Sequence, residues 1–207
     1  MTSWSVLLLG IGLGLRHATD ADHVVVVSAL VQREPGIGRA TRVAALWGLG
    51  HTATFLGLGL LVVLFGVRIP VAFERFVDLA VGVMLVGFGV RHLARTRAMV
   101  PVIANATTAG SGSDVRPLVI GCVHGLAGSA AIALLAATTI AAPTLAATYL
   151  VLFGLGTILG MVALTAVIAR PIGWAMQRGG GVQRVATVLA ALLSMLLGAT
   201  ILVEHLR

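Results

Sequence analysis

Long apolar stretches alternate along the chain with short links that are rich in arginine, proline and glycine. At a rise of about 1.5 Å per residue, each stretch is long enough as a helix to cross a hydrocarbon core of roughly 30 Å. The pattern therefore predicts an all-α, polytopic membrane protein with six transmembrane helices. The six predicted spans cover about residues 4–31, 42–67, 72–93, 117–141, 144–169 and 184–204.

Composition supports the membrane interpretation. Hydrophobic residues make up 58% of the 207 positions and charged residues 10%, whereas soluble domains average about 25% charged residues. All 14 basic residues are arginine, and with 7 acidic residues they give a formal net charge of +7. Since these arginines lie in the links, we expect them to set membrane topology rather than to bind nucleic acid. The single cysteine, Cys122, excludes an internal disulfide framework.

The distribution of arginine also predicts an orientation. Alternate links between the six spans, with the C-terminal tail, carry ten arginines on one side and three on the other. The positive-inside rule places the first set in the cytoplasm, so both termini are expected outside the cytoplasmic (inner) membrane. Residues 1–15 lack the positively charged segment of a secretory signal, and we expect them to begin the first span.

The two halves of the chain resemble each other. Because each half has an odd number of spans, the second would be inverted relative to the first, as in many secondary transporters. The predicted units are a three-helix repeat at 1–97, a flexible cytoplasmic linker at 98–116 and a second repeat at 117–207. The matching segments are Gly14-Leu-Arg-His17 with Gly121-Cys-Val-His124, Trp47-Gly-Leu-Gly50-His51 with Phe153-Gly-Leu-Gly156-Thr157, and Met84-Leu-Val-Gly87 with Met195-Leu-Leu-Gly198.

The first span contains the cluster Arg16-His17-Ala-Thr-Asp20-Ala-Asp22-His23. Ionisable residues inside a membrane are costly and indicate a functional site. On an ideal helix His17, Asp20 and His23 lie on one face and form a plausible half-site for a divalent metal. Asp22 lies about 160° from Asp20, so either the helix is broken near Asp22 or Asp22 serves another partner. The structural alternative is an Arg16–Asp20 ion pair with both histidines as buried hydrogen-bond donors.

Two further histidines occur within apolar spans, His51 and His124. Helical rise places His23, His51 and His124 at a common depth of roughly 10 to 14 Å, with His17 about one and a half turns nearer the outside. Together they predict an inner coordination site with a second position above it, although each lone histidine could equally be structural. Weaker supporting candidates, which could equally serve packing or interhelical hydrogen bonds, are Thr52, Cys122 and Ser129.

The cluster in span one resembles the signature of the nickel/cobalt transporter family, in which four residues separate a histidine from Asp-His. Leu49-Gly50-His51-Thr52 resembles the second signature of that family. The resemblance implies uptake of Ni²⁺ or Co²⁺ across the cytoplasmic membrane. The residues of this chain that match the functional positions of the family are His17, Asp22 and His23, and after them Asp20 and His51. The chain departs from the family in having fewer spans. In place of an acidic motif found later in the family, the chain carries His124-Gly-Leu-Ala-Gly-Ser129. This segment resembles short urease-accessory nickel transporters.

We therefore expect a secondary permease for a transition-metal cation, with nickel or cobalt as substrate, no prosthetic group and no enzymatic activity. The metal site would comprise His17, Asp20, Asp22, His23, His51 and His124. Expected partners are the lipid bilayer and the metal ion, and a homo-oligomer is possible because glycine-rich faces could pack between copies. Three alternatives stay open: an exporter of metal or small solutes on the same scaffold, a membrane redox protein with haem on His51 and His124, and an intramembrane hydrolase.

Overall fold

The computed structural model describes residues 3–31, 36–97, 115–126, 131–177 and 180–206, and within these ranges the regular structure is entirely α-helical. The predicted all-α fold is therefore confirmed. The described helices are α1 (Ser3–His17), α2 (Ala21–Val31), α3 (Ile37–Phe65), α4 (Val71–Arg97), α5 (Val115–His124), α6 (Ala131–Thr138), α7 (Pro143–Gln177) and α8 (Gly180–Leu206).

Three of these helices contain a segment that is long and apolar enough to cross a membrane: Ile37–Phe65, Pro143–Pro171 and Arg184–Leu206. Shorter apolar helices cover Trp4–His17 and Val115–His124. Helix α4 is long enough, but its first eight residues include Glu74, Arg75 and Asp78. The chain is a helical membrane protein, and the count of six spans stays a prediction because the first and fourth predicted spans are each divided into two short helices.

The first predicted span is interrupted between His17 and Ala21, directly before Asp22. The Ala18 N–H still donates to the carbonyl four residues back, but Thr19 and Asp20 donate three residues back, at 2.9 and 3.0 Å. The Thr19 hydroxyl also donates to the Arg16 carbonyl at 2.6 Å, and such local bonds compete with a continuous helix. The structure thus shows both predicted alternatives together, because the helix is broken before Asp22 and Asp22 also contacts His124 of α5.

Helix α5 ends at His124 in the same way. Gly125 donates to the carbonyl four residues back, at 2.8 Å, and Leu126 to the carbonyl three residues back, at 3.3 Å. The fourth predicted span, 117–141, is therefore also two helices rather than one. Helix α5 begins at Val115, so the last two residues of the predicted linker 98–116 are helical; its other residues lie outside those described.

The helices of the two halves pack against each other in exchanged pairs. Helix α1 packs along α7, α5 packs along α3, α3 also contacts α7, and α4 packs along α8. Glycine makes the first two contacts possible. A Cβ atom added at Gly14 would collide with the carbonyl oxygen of Phe153, and one added at Gly121 would collide with the carbonyl oxygen of Trp47. Backbones this close tolerate only glycine at the contact.

Helices α4 and α8 meet through small residues. Gly82 packs against Gly198, and Gly89 packs against Ala191, while the Ser194 hydroxyl donates to the Leu85 carbonyl at 2.6 Å. Gly87, which the sequence comparison pairs with Gly198, has no neighbour within 4 Å of an added Cβ. The two matched glycines therefore do not share equivalent surroundings, and Gly89 resembles Gly198 more closely in its contacts.

Candidate metal site

Four histidines from four different helices converge in the interior of the molecule. His17 ends α1, His23 lies in the first turn of α2, His51 lies in α3 and His124 ends α5. Their exposed fractions are 5% or less, and neighbouring ring centroids lie between 4.5 and 5.8 Å apart. The two interrupted helices therefore bring His17 and His124, which are 107 residues apart in the sequence, into a single cluster with His51.

The closest contact in this cluster joins two ring nitrogens. Nε2 of His17 lies 3.2 Å from Nε2 of His51. Two nitrogens bound to one zinc ion at about 2.0–2.1 Å, with an angle between a right angle and the tetrahedral value, lie about 2.8–3.4 Å apart. The Nε2–Nε2 distance of the His17–His51 pair is that of a hydrogen bond, and it also lies within the range expected for two ligands of a single metal ion.

Asp20 contacts the other ring nitrogen of His17. Its Oδ2 lies 2.9 Å from Nδ1 of His17, and because a carboxylate only accepts, the Nδ1–H donates. A carboxylate behind a histidine fixes the tautomer and aims the second nitrogen, which is the usual arrangement around protein metal ligands. Asp20 is 38% exposed, whereas His17 is 5% exposed, so the carboxylate lies between the buried ring and the outside of the cluster.

Asp22 contacts two histidines at once. Its Oδ1 accepts from Nδ1 of His23 and its Oδ2 from Nε2 of His124, both at 3.0 Å. The remaining ring nitrogens of these two histidines, Nε2 of His23 and Nδ1 of His124, are buried without a hydrogen-bond partner, as is Nδ1 of His51. Buried polar atoms without partners are costly and uncommon in native proteins. Several such nitrogens in one place are what a site for a cation requires.

The ligand atoms form two overlapping groups of three. His17, His23 and His51 make one group, and Asp22, His23 and His124 make the other; within each, the atoms lie within 4.8 Å of one another. Imidazole and carboxylate ligands suit first-row divalent metals such as nickel, cobalt and zinc. His23 is the one residue shared by both groups.

The structure places the predicted residues as follows. His17 belongs to the same cluster as the other histidines rather than a turn and a half away, because the helix break brings its ring to 4.5 Å from that of His23. Asp20 pairs with His17, and Arg16 is exposed, so the predicted Arg16–Asp20 alternative does not describe the contacts of Asp20.

The supporting candidates lie around the cluster. Thr52 donates to the Gly154 carbonyl at 3.3 Å and so links α3 to α7. Cys122 is partly buried on α5, where its backbone nitrogen lies close to Gly50 of α3. Ser129 lies outside the described residues.

Two aromatic residues at the cluster are not among the predicted site residues. The ring of Trp47 lies 5.4 Å from that of His23 and 5.6 Å from that of His124, and its Nε1 is buried without a hydrogen-bond partner. Phe153 lies 5.4 Å from His17. Both begin the matching glycine-rich segments of the two halves, which is the signal in the sequence that could have identified them.

The chain is 34% identical over 176 residues to "Urease accessory protein UreH" of Bacillus sp. (strain TB-90), a match that covers 81% of this chain and 77% of that protein. A shorter match, 33% identical over 70 residues, joins it to "High-affinity nickel transport protein" of Cupriavidus necator and covers 33% of this chain and 20% of that protein. The chain belongs to the nickel/cobalt transporter family, in its UreH-like branch. No family model and no solved structure matches it.

Membership in the nickel/cobalt transporter family confirms the relationship that the His-x4-Asp-His and Leu-Gly-His signatures predict. It also assigns the chain to transport proteins rather than enzymes, so the hydrolase alternative is wrong. Both signatures end in the same buried cluster, since His17, Asp22 and His23 belong to the first and His51 to the second.

Proposed function

We propose that the protein carries out secondary-active transport of nickel or cobalt across the cytoplasmic membrane, in the direction of uptake. The observation that carries this proposal is the 3.2 Å contact between Nε2 of His17 and Nε2 of His51, within a buried cluster of four histidines. The spacing fits two ligands of one ion, and the two side chains come from different family signatures.

The chemistry of the cluster supports a transition-metal substrate. Imidazole nitrogens with a few carboxylate oxygens bind nickel and cobalt well, whereas magnesium and calcium prefer sites made of oxygen ligands. The relative from Cupriavidus necator is named for nickel transport, which supports nickel as the first ion to test. The described site is enclosed, so an ion bound there has exchanged much of its water for protein ligands.

We also propose that the chain crosses the membrane six times as two inverted repeats. In this arrangement α1 with α2, and α5 with α6, each form one interrupted span. Three observations support it: the exchanged packing of α1 on α7 and α5 on α3, the equivalent close approaches at Gly14 and Gly121, and the matching hydrogen bonds that end α1 and α5. Interrupted helices at a repeat interface are a common way to build an ion site near the middle of a membrane.

The proposed orientation follows from the arginine distribution and puts both termini outside the cytoplasmic membrane. Alternating access would then expose the histidine cluster to each side in turn.

In the haem alternative, the macrocycle would lie between His51 and His124. The rings of His23 and Trp47 lie close to both of these histidines, so this region is already filled and the haem alternative is disfavoured.

Radioactive nickel and cobalt uptake at low external metal tests the proposal, in cells that express the wild type, His17→Ala, His51→Ala or His205→Ala. His205 is a matched control because its Nε2 also pairs with a carboxylate, that of Asp78, at 3.1 Å but outside the cluster. We expect uptake to fall at least about tenfold in the two cluster variants and to stay unchanged in His205→Ala.

The same cells, preloaded with metal, decide direction. Faster loss of preloaded nickel in the wild type than in His17→Ala would show export instead of uptake on the same site. Equal fluxes in the wild type and in His17→Ala, in both directions, would contradict metal transport through this cluster.

A further inference from the structure

We propose that the cluster holds two metal positions that share His23 and are occupied one at a time. The first position consists of His17, His23 and His51, and the second of Asp22, His23 and His124. This inference rests on the proposed function for its meaning, because it describes how an ion would move within the transport site. Its evidence, however, is the geometry of the ligands alone.

His23 lies between the other members of the cluster. Its ring centroid is 4.5 Å from that of His17, 4.9 Å from that of His51 and 4.8 Å from that of His124. Its side chain is fully buried. No other residue of the two groups belongs to both, so an ion that passes from one group to the other must exchange its remaining ligands around His23.

The two ring nitrogens of His23 differ in their contacts. Nδ1 donates to Oδ1 of Asp22 at 3.0 Å, and Nε2 is buried with no hydrogen-bond partner. With the ring proton on Nδ1, the lone pair on Nε2 is available to an ion at the first position.

A neutral imidazole carries one ring proton, so only one of its nitrogens can bind a metal at a time. His23 therefore serves one of the two positions at a time. Repulsion between two divalent ions this close, in a buried site, also opposes simultaneous occupancy.

The two positions differ in chemistry. The first offers three imidazole nitrogens, two of which, on His17 and His51, are already 3.2 Å apart. The second offers a carboxylate oxygen and two imidazoles. An ion that alternates between them stays bound by protein ligands throughout the step, which lowers the barrier to movement compared with release into an apolar interior.

The test is cobalt binding to the purified full-length protein in detergent, measured by equilibrium dialysis and by the visible absorption of Co²⁺. We expect one Co²⁺ per wild-type chain. His51→Ala removes only the first position and His124→Ala only the second, so each variant should still bind one Co²⁺, with absorption spectra that differ from each other. His23→Gln removes both positions and should weaken binding by at least about tenfold relative to either variant.

Size-exclusion profiles and thermal unfolding show whether each variant is folded, and His205→Ala serves as the unchanged control. The proposal is overturned if His51→Ala or His124→Ala abolishes binding as completely as His23→Gln, which indicates one site of four histidines. Two Co²⁺ per wild-type chain, or none, also overturns it. Because binding is measured without transport, an absence of flux in cells would contradict the proposed function and leave the two-position result intact.

Discussion

Nε2 of His17 lies 3.2 Å from Nε2 of His51, although one residue ends α1 and the other lies in the middle of α3. The contact depends on the end of helix α1 at His17. The break that follows places the His17 ring beside the His23 ring, and both then face the same small space inside the cluster. It also depends on the close packing of α3 with its neighbours, which places His51 beside both. The site is thus a product of two backbone features, a broken helix and glycine contacts, and each can be tested separately.

In the His124→Ala variant, which keeps only the position formed by His17, His23 and His51, Asp20→Ala should weaken metal binding by about 10- to 100-fold without abolishing it, because the change removes the carboxylate that holds Nδ1 of His17 and leaves the facing nitrogens in place. Asp20→Asn keeps an oxygen that can accept from Nδ1 and should lose less. Equilibrium dialysis with radioactive nickel measures both affinities.

Asp78→Ala is the control for the Asp20 variants, since it removes a carboxylate that pairs with a histidine, His205, outside the cluster. If Asp20→Asn and Asp20→Ala lose affinity equally and completely, Asp20 binds the ion directly, and its placement behind His17 is not its role in the loaded protein.

Gly50→Ala should destabilise the protein strongly. A Cβ atom at Gly50 would collide with the carbonyl oxygen of Leu118 and lie 3.0 Å from the backbone nitrogen of Cys122, so α3 and α5 must separate. We expect a lower thermal unfolding temperature and weaker nickel binding, because His51 is the next residue and His124 lies on the displaced helix.

Gly57→Ala is the matched control on the same helix, because nothing lies within 4 Å of a Cβ added there. Its unfolding temperature should stay the same or rise, since alanine favours helix by up to about 1 kcal/mol over glycine. Equal effects of the two substitutions would show that the α3–α5 contact is not close in the folded protein.

Metal binding should quench the fluorescence of Trp47. This indole is fully buried, with its ring centroid 5.4 Å from that of His23, and open-shell ions such as Ni²⁺ and Co²⁺ quench nearby indoles. Trp4 and Trp174 are 78% and 54% exposed. Trp47→Phe should therefore remove the nickel-dependent change, whereas a Trp4→Phe, Trp174→Phe double variant should keep it. Quenching that survives Trp47→Phe would mean that the ion binds elsewhere.

The residues that cluster in the interior could be predicted from the sequence because burial of ionisable groups in apolar spans is so costly. His17, Asp22, His23, His51 and His124 all stand out on that ground, and all five lie in the described cluster. The family signatures also indicate His17, Asp22, His23 and His51, whereas His124 is indicated by the cost of its burial alone.

The arrangement of these residues could not be predicted from helical periodicity. An ideal helix puts Asp20 on the same face as His17 and His23, as a third ligand. In the structure the chain turns between His17 and Ala21, and Asp20 contacts the outer nitrogen of His17. Similarly, the sequence comparison of the two halves pairs Gly87 with Gly198, but Gly89 and Gly198 are the glycines with similar contacts. Local sequence does not specify which face of a helix meets which neighbour when every face is apolar.

Ser194→Ala should lower stability without affecting metal affinity. The Ser194 hydroxyl is buried and donates from α8 to the Leu85 carbonyl of α4 at 2.6 Å. Hydrogen bonds between membrane helices contribute about 0.6 kcal/mol on average and up to ~2 kcal/mol, so a small decrease in unfolding temperature is expected. Thr200→Ala is the matched control on α8, because the Thr200 hydroxyl is exposed and donates only within its own helix. An equal decrease in both variants would contradict a stabilising contact between α4 and α8. A loss of nickel affinity in Ser194→Ala would show instead that this helix pair is coupled to the histidine cluster.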